Sequence, residues 1–130
     1  MQDVESRGDG IDVTRGSVIV VCTTYPDRAT ADDRSARIVA SRAAACAQVD
    51  GPVASRYVWK GEIEQGEEWR CTFKTSPVAL ARCLAAVAAS HPYDVPELIW
   101  EKVSASAAYA AWVDEIASGE PDAGAGTDVP

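Results

Sequence analysis

The chain has 130 residues, of which 47% are hydrophobic, enough for one compact core and too few for two. Its formal net charge is -8, from 20 acidic and 12 basic side chains without any run of Lys or Arg, which argues against nucleic acid or anionic lipid as the main partner. No apolar stretch approaches the roughly 18 residues that span a bilayer, and the start MQDVESRGDG lacks the basic-then-apolar order of a signal peptide, so the expected location is the cytoplasm.

Residues 1 to 16 and 118 to 130 are rich in Gly, Asp, Pro and small polar residues and read as flexible tails around a single domain, 17 to 117. SVIVVCTT (17 to 24) is a β-branched run without polar alternation, the pattern of a central strand buried on both faces. Pro26 and Asp27 break it, and Asp27 or Thr30 caps a helix running through Arg42 with Ala31, Ser35, Ile38, Val39 and Ala43 inward. From Gln48 to Thr75 the period becomes two, with Val53, Ser55, Tyr57 and Trp59 on one face and then Trp69, Cys71 and Phe73 alternating with charged or polar residues. This predicts a hairpin with its tip at Glu64-Gln65-Gly66-Glu67 and a bulge or close approach at Gly61. Arms of that length overhang a sheet of shorter strands and need a partner.

Ser76-Pro77 starts a second helix marked by Leu80, Leu84 and Val87, which stops at Ser90-His91-Pro92 because the residue before proline is pushed toward extended backbone. Leu98 to Val103 is a last strand, and from Ser106 onward Tyr109, Trp112, Val113 and Ile116 recur at helical spacing. The order β-α-β-β-α-β plus a terminal helix is the α+β, ferredoxin-like split β-α-β sandwich, with an antiparallel sheet, two helices on one face and the other face uncovered. Aromatic residues on that face mark an interface, most often with further copies of the same chain.

Cys22, Cys46, Cys71 and Cys83 stand far apart without a C-x-x-C pair, and each sits among core-like residues, so they read as reduced, mostly buried thiols and not as a zinc ribbon. No nucleophile elbow, P-loop, H-E-x-x-H or dinucleotide turn is present, so the expectation is a protein that is not an enzyme. The acidic hairpin residues Glu62, Glu64, Glu67 and Glu68 read as a solvated edge.

VVCTTYPD (20 to 27), RAAACAQV (42 to 49), SRYVWKGEIEQGEE (55 to 68), FKTS (73 to 76), HPYDVPELI (91 to 99) and YAAWVDE (109 to 115) occur in the order and spacing of the CutA family of divalent-cation tolerance proteins, which this chain resembles over nearly all of 17 to 117. The resemblance implies a ferredoxin-like homotrimer in which the hairpin arms extend the neighbouring subunit's sheet, and a role in tolerance of copper or other divalent ions. By the same resemblance Cys22 and His91 are the candidate copper ligands, and Tyr57, Trp59, Lys60, Lys74, Tyr93, Glu97 and Trp112 are candidates for the interface or the cleft between subunits. Copper-binding members have a second histidine before this one where the chain has Ser90, and the family's usual glycine before the tyrosine is missing from SASAAYAAW. Two ligands make an incomplete transition-metal site, to be completed by Glu97, Asp94 or an adjacent subunit. The alternative is a module similar to PII signalling proteins that takes a small molecule or protein at the cleft without metal.

Overall fold

The computed structural model describes residues 15–118. Most of the two expected tails, 1–14 and 119–130, lies outside the described residues; Arg15 and Gly16, read from sequence as tail, belong to the first strand.

Strand β1 (Arg15–Tyr25) is central, paired antiparallel with β3 (Glu62–Thr75) on one side and β4 (Ile99–Ser106) on the other, and β2 (Cys46–Trp59) lies outside β3, giving the order β2-β3-β1-β4. Its β-branched run explains the position: Val18, Ile19 and Val21 are all buried, which needs cover on both faces. Helix α1 (Arg28–Ala40) is capped by Asp27, whose carboxylate accepts from the Thr30 N–H at 2.8 Å. Helix α2 (Leu80–Ser90) begins three residues later than Ser76-Pro77 suggests. Ser76 still accepts the Ala79 N–H at 3.0 Å, but residues 77 to 79 form a turn. Ser106 caps α3 (Ala107–Ile116) by accepting from the Tyr109 N–H.

Helices α1 and α2 cover one sheet face, enclosing Ile19, Val21, Tyr25, Cys71, Phe73, Cys83 and Val87. Since successive side chains on a strand point to opposite faces, Val18 and Val20 face away from that core. They pack instead with Ala45, Ala110 and Val113, so α3 covers part of the face that the sequence reading left open. Gly16 permits this approach: a Cβ there would lie 2.6 Å from the Ala110 Cβ.

The hairpin turns at Lys60 and Gly61, with φ of 52° and 81°, and not at 64 to 67. Two successive positive φ values are the two-residue turn whose twist matches the strands. Gln65 and Gly66 sit inside the ladder opposite Arg56 and Ser55, and the register irregularity falls at Asp50/Val53 and not at Gly61. Only Trp69–Thr75 of β3 pairs with β1, so residues 53–59 and 62–68 form a two-stranded ribbon beyond the sheet. The ribbon leaves Tyr57, Val58, Trp59 and Ile63 between 46% and 79% exposed.

Candidate functional site

Two threonines at the end of β1 organise the region, because Thr23 faces the helices with Tyr25 while Thr24 and Cys22 face the other way. The end of α2 is tied to α1 by Arg34, whose Nε donates to the Ser90 carbonyl at 2.8 Å. Ser90 turns its hydroxyl back to the Ala86 carbonyl at 3.0 Å. His91 then leaves the helix with extended backbone, φ -79° and ψ 137°, as a residue before proline should.

The His91 ring stacks on Tyr25 with centroids 4.5 Å apart and planes 14° from parallel. The Tyr93 N–H donates to Nδ1 at 3.2 Å, so Nδ1 is the unprotonated nitrogen and Nε2 carries the proton. Nε2–H is directed to the Thr24 carbonyl at 2.9 Å, with Thr23 Oγ1 at 3.0 Å, and the Thr23 hydroxyl donates in turn to the Glu97 carbonyl at 2.6 Å. Burial is the leading reason the imidazole's pKa lies below its ordinary value, with Arg34 pushing the same way and the Thr24 bond and Glu68 opposing. His91 is therefore a neutral pin that joins the end of α2, the end of β1 and the segment leading into β4.

That geometry separates the two candidate metal ligands. The lone pair of His91 is used by Tyr93, while Cys22 points to the opposite sheet face, where Sγ lies 3.5 Å from Thr72 Oγ1. Within one subunit Cys22 and His91 are therefore not brought together. Nor does Glu97 or Asp94 complete a set, since among the described residues no group of three or more His, Cys, Asp or Glu side chains is placed to hold an ion. Cys71 and Cys83 are buried, and burial pushes their thiols up to about 12 and about 11, leaving them inert at neutral pH.

A cleft of about 780 Å³ opens between the ribbon and the segment after His91. Tyr57 and Trp59 wall it from β2, Glu64 and Glu68 from β3, and Tyr93, Val95 and Glu97 from the loop. Glu68 Oε2 accepts from the Tyr93 hydroxyl at 2.9 Å and from the Thr24 hydroxyl at 3.2 Å. Burial first and the Glu68 carboxylate second push the Tyr93 phenol above its ordinary pKa, so it stays a donor. Arg56, also on the wall, donates through Nε to Gln65 Oε1 at 3.2 Å.

Of the residues expected at an interface or cleft, Tyr57, Trp59, Tyr93 and Glu97 thus meet in one place. Lys60 stands at the hairpin tip with Nζ 5.9 Å from the Trp59 ring centroid. Lys74 donates to Gln48 on the sheet, and Trp112 packs beside Tyr109 on α3, so neither lines the cleft. The sequence does not by itself mark Glu68 or Thr24 as site residues; the one signal it carries is the alternation that puts Glu68 on the face opposite Trp69 and Cys71.

The family model described as CutA1 divalent ion tolerance protein matches residues 19–116. The divalent-cation tolerance protein CutA of Escherichia coli (strain K12 / DH10B) is 40% identical over 83 residues, which is 64% of this chain and 73% of that protein. Among solved structures, CutA from Xylella fastidiosa superposes with a TM-score of 0.73 at 32% identity, covering 76% of this chain and 96% of that one. The divalent cation tolerance protein from Thermus thermophilus gives 0.71 at 29% identity, covering 77% and 97%.

Proposed function

The chain belongs to the CutA1 divalent ion tolerance family, and from that membership we propose that it acts in tolerance of divalent cations, copper among them, as a cytoplasmic homotrimer without enzymatic activity. The observation that carries the assembly is the ribbon 53–59/62–68, which leaves Trp59, Tyr57 and Ile63 uncovered beyond the end of the sheet. A two-stranded ribbon is marginal in water, and a neighbouring copy that covers it supplies the missing burial. Any copper or other divalent ion is then held by ligands that more than one subunit contributes, because one subunit does not gather a chelating set among its described residues. Native mass spectrometry of reduced protein with Cu(II) and Zn(II) tests this. The expected result is ion bound to the assembled species only. Ion retained by the dissociated chain, or no binding by the assembly, contradicts it.

A second reading, a signalling or scaffold module similar to PII proteins that receives a small molecule, is favoured by the cleft of about 780 Å³ beside the ribbon. That size falls within the range of small-molecule sites, about 300–1,000 Å³.

A further inference from the structure

No further inference is drawn: the strongest candidate, the exposed apolar pair Ile99 and Trp100 on the edge strand β4, is an unpartnered surface, and apart from the assembly already proposed nothing in the structure shows what covers it.

Discussion

Replacing His91 separates a structural pin from a metal ligand. His91→Ala removes the Nε2–H bond to the Thr24 carbonyl, the acceptor for the Tyr93 N–H and the ring stacked on Tyr25 at 4.5 Å. Each lost bond costs about 1 kcal/mol net, toward the low end of the range for an unsatisfied group because the site is only part-buried and admits water. Loss of the stack adds about 0.5–1.5 kcal/mol. The expected loss is therefore about 2–4 kcal/mol of unfolding free energy. His91→Phe keeps the stack and loses only the two polar contacts, so it should cost about 2 kcal/mol, the larger part of the His91→Ala loss. The assay is urea unfolding with a chelator present and all proteins at one chain concentration, since assembly couples stability to concentration. If both variants match the parent within about 0.5 kcal/mol under these metal-free conditions, the pin is refuted and His91 is free for another role.

The pH dependence follows from the same group. A histidine whose folded pKa lies below its unfolded value of about 6.5 contributes stability that is fully present above that value and is lost as pH falls through the folded pKa. Unfolding midpoints of the parent should fall as pH drops below about 6.5, by more than those of His91→Phe; equal slopes would contradict the assignment. Gly16→Ala brings a methyl group to 2.6 Å from the Ala110 Cβ and should cost about 1–3 kcal/mol as α3 is displaced, read by thermal unfolding and near-UV dichroism of Trp112. In the hairpin, Gly61→Ala at φ 81° should cost about 1–2 kcal/mol, whereas Gly66→Ala, with nothing within 4 Å and no positive φ, should be tolerated. The reverse ranking in chemical denaturation would move the turn back to 64–67.

Much of this arrangement is legible in the residues. The unbroken β-branched run of β1 implies cover on both faces, and Val18 and Ile19 meet different cores accordingly. Asp27 and Ser106 announce their helices through short side chains that reach the third residue on. The hairpin tip was harder to locate, because Lys60-Gly61 and the segment around Gly66 are both plausible turns. Register against β1 decides between them, and that is a long-range property. The face taken by α3 depends on the fit of Gly16 to Ala110, a contact between residues 94 positions apart that no local pattern carries.

The candidate site divides the same way. Tyr57, Trp59, Tyr93 and Glu97 were gathered by resemblance and do converge. Within one subunit Cys22 and His91, the candidate ligands that the resemblance implies, stay apart, because the ring of His91 bonds Thr24 and Tyr93 while Cys22 lies across the sheet beside Thr72. A sequence names the histidine but not the sheet face on which the loop carrying it settles.

The proposed trimer requires that further copies of the chain cover the ribbon. Multi-angle light scattering after gel filtration of the reduced protein measures this directly. The predicted result is a single species of three times the chain mass that persists on dilution to low micromolar concentration. A stable species of one chain mass, with Trp59 and Tyr57 left in water, would contradict it.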